Sequence, residues 1–182
     1  MKSESTPLPG LLVLTPVRHE DARGFLYESY NRDRFSEAIG RPVDFVQDNH
    51  SLSHRHVLRG LHAQKGTPQA KLVRVTQGAV FDVCVDLRRS SPTCSQWFGI
   101  ELSAANRRQI FIPQGFAHGF LTLTGTSEVL YKLDGLYDPA SQICLRWNDP
   151  HIAIAWPLGG AEPVLSPRDR EGLSFEQIEL FP

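Results

Sequence analysis

The segment Val57-Leu58-Arg59-Gly60-Leu61-His62-Ala63-Gln64 sets an imidazole three residues after a guanidinium. An unperturbed imidazole titrates near about 6.5, so His62 is suited to take and return a proton at neutral pH. Metal ligation and a buried structural role compete with that reading. A catalytic metal needs three or more convergent protein ligands. His54 and His56 have the H-x-H spacing, but no Asp or Glu follows them before Asp82, and they lie in a Ser- and Arg-rich stretch that reads as a solvated turn. His62 with His118 lacks an evident third ligand, so no metal is expected. For proton transfer the surroundings are richer: Arg59 and Lys71 are nearby cations, Tyr131 and Lys132 lie farther on, and Asp169 stands in Ser166-Pro167-Arg168-Asp169-Arg170. A carboxylate on the second ring nitrogen would fix the tautomer of His62 and raise its basicity. Asp169 is the expected carboxylate, with Asp82 as rival.

The elements that must position these groups read as strands. Lys71 to Leu87 contains two β-branched runs broken by Gln77-Gly78, which predicts a tight hairpin. In the second run Ala79, Phe81, Val83, Val85 and Leu87 share one face. Val80, Asp82, Cys84 and Asp86 share the other, a mixture suited to a barrel interior with a partly polar site. Further strands are predicted in 11–17, 43–51, 97–102, 108–113, 119–124, 128–133 and 143–147, separated by turn formers. Many short strands at this spacing imply a sandwich or closed barrel. One early helix is predicted in 31–40, capped by Asn31 and stopped by Gly40. After Trp156-Pro157 the chain becomes rich in turn formers, which predicts either a surface tail or a segment folding over the barrel mouth to deliver Asp169. One conflict stands out. In a regular strand Arg59 and His62 have opposite parity, so a bulge at Gly60 or a strand end is required for both to reach one site.

The 182 residues suffice for one core and predict a single domain spanning 1–182. Nineteen basic and 20 acidic side chains leave a formal net charge of -1, which gives no broad field for nucleic acid. No segment reaches the roughly 18 to 20 apolar residues of a membrane helix, and Met1–Gly10 lacks a signal-peptide core, so a cytoplasmic location is expected. Cys84, Cys94 and Cys144 are odd in number and lack C-x-x-C spacing, predicting neither disulfides nor a zinc knuckle.

Seven blocks, DARGFLYESY, FVQDNHSLS, VLRGLHAQ, AKLVRVTQGAVFDVCVDLRRSSPT, IPQGFAHGF, LYKLDGLYDP and WNDP, occur in the order found in the dTDP-4-dehydrorhamnose 3,5-epimerases. The chain resembles that family from about Leu11 to Asp169. The resemblance implies a mainly β, cupin-type jelly-roll barrel with a few short peripheral helices, forming a homodimer without metal or other cofactor. It implies a thymidine-diphospho-4-keto-6-deoxy sugar as substrate, inverted at C3 and C5. Matched by motif, His62 is the base, Asp169 its partner and Tyr131 the acid on the opposite face. Both carbons flank the C4 ketone, so deprotonation gives an enolate whose charge gathers on the C4 oxygen. Lys71, helped by Arg59 and His118, is the expected cationic site for that oxygen. The resemblance places Arg23, Arg59 and Arg168 around the diphosphate, Glu28, Gln47 and Asn49 against base and sugar, and Phe25 or Tyr137 on thymine. Many relatives carry Glu where this chain has Gln142 and Lys where it has Arg168, both at the ligand periphery.

Rival readings are a single-site epimerase acting at C3 or C5, a 3,4-ketoisomerase on the same nucleotide sugar, a nonenzymatic sugar-nucleotide-binding barrel, and a metal-dependent cupin enzyme.

Overall fold

Thirteen strands and two short helices account for the chain in a computed structural model that describes residues 1–182. In order they are β1 Lys2–Ser5, β2 Leu12–Thr15, β3 Arg18–Asp21, β4 Gly24–Tyr27, α1 Arg32–Ile39, β5 Gln47–His54, β6 Leu58–Gln64, β7 Lys71–Gln77 and β8 Ala79–Asp86. Then follow β9 Trp97–Ser103, β10 Gln109–Ile112, β11 Phe116–Thr122, β12 Thr126–Leu133, β13 Gln142–Cys144 and α2 Pro167–Arg170. One sheet has the order β1-β2-β10-β7-β12-β5 and a second has β13-β6-β11-β8-β9, while β3 and β4 form a separate hairpin. This is the expected mainly β jelly-roll architecture. Sequence reading missed β1 and the β3–β4 hairpin, whose residues are almost all exposed and therefore lack the apolar alternation that marks a half-buried strand.

The predicted helix forms over Arg32–Ile39. The Asn31 side chain accepts from the Arg34 amide, and Gly40 ends the helix at φ 75°. Its one buried side chain, Phe35, packs edge-on to Phe111 of β10 and, with Leu14 and Leu72, covers the outer face of the six-stranded sheet.

The predicted hairpin at Gln77-Gly78 does not form. β7 pairs with β10 and β12, whereas β8 pairs with β11 and β9, so the chain crosses from one sheet to the other at Gly78. The corner needs glycine: φ is 69°, and a Cβ there would lie 2.1 Å from the Thr126 carbonyl oxygen. A sharp turn between two strand-like runs reads identically for a hairpin and a corner, because only long-range pairing distinguishes them.

The two faces of β8 divide as the alternation predicts. Val80 and Cys84 point between the sheets, where they join Val73, Val75, Ile110, Phe116, Phe120 and Val129. Val83, Val85 and Leu87 point outward and are buried against Leu145, Ile152, Ile178 and Phe181. The region after Trp156 thus covers the outer face of the five-stranded sheet. Its apolar residues are spaced irregularly because they dock onto a sheet without forming one, which hides their burial from periodicity.

Candidate active site

Between the sheets lies a cavity of about 500 Å³ lined by 11 residues, of which only two are hydrophobic. The five-stranded sheet contributes Arg59 and His62 from β6 and His118 and Phe120 from β11. The six-stranded sheet contributes Ser51 from β5, Lys71 from β7 and Tyr131 from β12, and Ser166 through Asp169 close one side. Polar groups gathered inside an otherwise apolar barrel are the usual mark of a ligand site.

The parity conflict between Arg59 and His62 is resolved by a bulge. His62 pairs with His118 and Arg59 with Phe120, so two residues of β6 oppose the single residue Gly119 of β11. Gly60 sits in the bulge at φ 121°, and a Cβ there would lie 2.6 Å from the Gly119 Cα. The extra residue restores common parity, and both side chains line the cavity. Arg59 is held by its Nε donating to Ser53 Oγ at 2.9 Å and by a bond to the Leu52 carbonyl oxygen at 3.2 Å.

His62 Nε2 is 2.6 Å from Asp169 Oδ1. Asp169 is 3% exposed and lies in the first turn of the short helix α2, whose cap Ser166 donates through Oγ to Asp169 Oδ2 at 2.8 Å and accepts from the Asp169 amide at 3.2 Å. Burial pushes the Asp169 carboxyl upward, but the hydrogen bond and charge of His62, the Ser166 hydroxyl and the Gly60 amide outweigh it and hold the group below the usual carboxylate range. An ionised Asp169 keeps the proton on Nε2 and leaves the Nδ1 lone pair as the basic one. The rival carboxylate has its own histidine: Asp82 Oδ2 lies 2.9 Å from His118 Nε2, with both residues buried.

Lys71 is 9% exposed, and its Nζ lies 3.4 Å from the His62 carbonyl oxygen. Burial lowers its ammonium to about 8, partly countered by Cys84 and Asp82. Near neutral pH it is thus a largely charged cation in the cavity wall. Lys71 and Tyr131 stand on one sheet, His62 and His118 on the other, so a bound ring meets different chemistry on its two faces.

Other expected site residues sit at the rim. The Gln47 side chain donates to Asn49 Oδ1 at 3.0 Å and accepts from the Tyr137 amide at 3.1 Å. Tyr137 Oη donates to Gln142 Oε1 at 3.1 Å, and Arg168 donates to both Gln142 and Tyr137. A depression shared by Asn49, His62, Lys71, Tyr131, Tyr137 and Gln142 connects this network to the dyad. Arg23, Phe25 and Glu28 lie elsewhere: none lines the cavity. Arg23 pairs with Asp21 across the hairpin turn, Phe25 stacks under the Arg107 guanidinium, and Glu28 binds Arg34 and Asn31. His54 ends β5 exposed and His56 follows in a turn.

Sequence reasoning missed Ser51, Phe120, Ser166 and Pro167 in the cavity wall. Ser166-Pro167 carried a usable signal, since serine before proline marks a helix start. It also missed Cys144. One donor atom each from His62, Cys144 and Asp169 lies within 4.8 Å of the others, a set able to hold a metal ion. Burial first, then the Asp169 charge, pushes the Cys144 thiol up to about 11.

A jelly roll that turns a histidine–carboxylate pair, a lysine and a tyrosine into one cavity defines a cupin-type barrel equipped for acid–base chemistry. The family model described as dTDP-4-dehydrorhamnose 3,5-epimerase matches residues 5–177. The dTDP-4-dehydrorhamnose 3,5-epimerase of Pseudomonas aeruginosa is 52% identical over 182 residues, covering 100% of each chain. A dTDP-6-deoxy-D-glucose-3,5-epimerase from Legionella pneumophila, solved with dTDP-4-keto-L-rhamnose, superposes with a TM-score of 0.95 at 44% identity, covering 98% of this chain and 94% of that one. A dTDP-4-dehydrorhamnose 3-epimerase from Streptomyces niveus is 42% identical, covering 95% of this chain and 83% of its own. The chain belongs to the dTDP-4-dehydrorhamnose 3,5-epimerase family, and it is an isomerase of dTDP-rhamnose biosynthesis.

Proposed function

We propose that residues 1–182 form one epimerase domain that inverts C3 and C5 of dTDP-4-dehydro-6-deoxy-D-glucose, giving dTDP-4-dehydro-L-rhamnose. The observation that carries this reading is the His62–Asp169 pair facing Tyr131 and Lys71 across one cavity. His62 Nδ1 takes the proton next to the ketone while Asp169 stabilises the resulting imidazolium. The enolate oxygen at C4 is met by the Lys71 ammonium, with Arg59 and the Asp82-oriented His118 beside it. Tyr131, from the opposite sheet, returns a proton to the other face of the carbon. Each inversion leaves one extra proton on His62 and one missing from Tyr131, and exchange with water resets both. Repeating the cycle at the second carbon completes the double inversion. Arg59 and Arg168 take the diphosphate, and Gln47, Asn49, Tyr137 and Gln142 border the nucleotide end.

A homodimer is supported by the exposed apolar side chains of Val17, Phe25 and Leu26 on and beside the β3–β4 hairpin. In such a dimer, nucleotide contacts by Arg23, Phe25 and Glu28 come from the second subunit, since none lines the cavity of its own chain. Sedimentation at the mass of a single chain would refute the dimer. The three cysteines are unpaired and no helix is long and apolar enough to cross a membrane, in keeping with work in the cytoplasm.

The testing experiment is NMR of the 4-keto-6-deoxyglucose nucleotide in heavy water, with and without a chelator. Chelator-insensitive deuterium incorporation at both C3 and C5 is expected. Incorporation at C3 alone favours the second reading, a single-site epimerase, to which the similarity with a 3-epimerase also points. No incorporation returns the chain to a binding barrel.

A further inference from the structure

The proton chemistry leaves one neighbour of the dyad unused. Cys144 on β13 is the register partner of His62 on β6, which sets the two side chains abreast on the sheet. Its Sγ lies 3.9 Å from Asp169 Oδ1 and 3.6 Å from the Arg168 carbonyl oxygen. An imidazole nitrogen, a thiol sulfur and a carboxylate oxygen, drawn from three separate segments, therefore converge within 4.8 Å. Tetrahedral zinc holds such donors at about 2.0–2.3 Å, which spaces them roughly 3.3–3.8 Å from one another. The 2.6 Å separation lies below that range, and the 3.9 Å separation and the 4.8 Å outer limit of the set lie above it, so side-chain shifts on the order of 1 Å would close the site. Cys144 also lines a separate depression with Pro139, Gln142, Arg168, Glu171 and Leu173, while neither His62 nor Asp169 does. An ion can thus reach the sulfur from outside the substrate cavity.

We propose that His62, Cys144 and Asp169 form an inhibitory site for a thiophilic divalent cation of the zinc and cadmium type. The ion bonds to His62 Nε2, Cys144 Sγ and an Asp169 oxygen, with water completing the tetrahedron. The thiol proton leaves to solvent, and the imidazole proton moves from Nε2 to Nδ1. No electrons are transferred. With Nε2 on the ion and Nδ1 protonated, His62 has no lone pair left to abstract a proton. This inhibition rests on His62 acting as the base, whereas the binding itself does not. Magnesium and calcium, which favour all-oxygen shells of six or more ligands, do not fit this donor set.

The test is equilibrium dialysis of the purified protein and its Cys144→Ser variant against cadmium, with ultraviolet spectra of the same samples. Expected for the unaltered protein is one tight cadmium per chain with a cadmium–thiolate charge-transfer band. The variant should lose the band and bind at least about 10²-fold more weakly, with magnesium retained by neither. Unchanged affinity in the variant, or tight binding without the band, would overturn the site. Thermal melts of both proteins separate loss of the thiol from loss of the fold. Epimerase rates in zinc, each relative to the same protein's metal-free rate, test the consequence. Inhibition of at least tenfold in the unaltered protein, and none in the variant at the same concentration, is expected; tight binding without inhibition overturns the inhibitory role. If neither protein shows metal-free epimerase activity, the proposed function fails while the dialysis and spectra still decide the site.

Discussion

His62 and Asp169 lie 107 residues apart in the chain, yet Nε2 and Oδ1 approach to 2.6 Å. The contact joins a strand of the barrel to the first turn of a short helix delivered by the C-terminal region. The Ser166 hydroxyl donates to the other oxygen of the same carboxylate, so its position is fixed from two sides.

Asp169→Asn should therefore damage catalysis far more than binding. An amide oxygen can accept from Nε2, but it carries no charge to stabilise the imidazolium. A fall of about 10² or more in kcat with little change in KM is expected from steady-state kinetics. An unchanged kcat would mean that His62 works without its partner.

Lys71 joins activity and stability with opposite signs. Its ammonium is lowered from 10.5 to about 8 by burial, so between those values the unfolded chain binds more protons than the folded one, and stability rises with pH through that window. Below about 8 the full penalty of burying the charge is present, on the order of 3 kcal/mol. Lys71→Met should accordingly raise Tm at pH 7 while lowering kcat by about 10² to 10³, through loss of the cation at the C4 oxygen. In the unaltered enzyme the rate should decline as pH rises through about 8. A variant that loses both stability and activity would show that the ammonium holds the fold together.

Tyr131→Phe separates the two half-reactions. His62 remains able to remove and return a proton on its own face, so deuterium from heavy water should still enter recovered substrate. Epimerised product should fall by about 10² or more. His62→Ala should abolish both exchange and product. Equal loss of exchange in both variants would remove Tyr131 from the role of acid.

Gly60→Ala tests the bulge. The new methyl would meet the Gly119 backbone at 2.6 Å in a conformation that side chains avoid, which should cost at least about 1–3 kcal/mol in denaturant unfolding. Because the bulge aligns Arg59 with His62, the folded fraction should also lose kcat. Full activity in the folded fraction would mean that the two side chains reach the cavity without it.

How far the sequence carries can be judged at individual residues. Alternation along Ala79–Leu87 foretold which face of β8 looks into the barrel, because a strand has period two whatever it pairs with. Asn31 and Gly40 bounded the helix because capping is local chemistry. The turn at Gly78 was visible, but its service as a corner between sheets was not, since pairing partners lie up to 62 residues away.

By itself, the amino-acid sequence determined the strand-rich class, the inward face of β8, the helix caps, the need for a bulge if Arg59 and His62 share a site, and the ordered motifs of a family. Tertiary structure alone decided between the carboxylates, giving Asp169 to His62 and Asp82 to His118. It alone set Cys144 beside the dyad and Arg23 and Phe25 away from the cavity. The division has one physical cause. Propensity, parity and capping act over a few residues and are written locally, whereas a hydrogen bond between residues 107 apart exists only once the sheets have closed and the tail has docked.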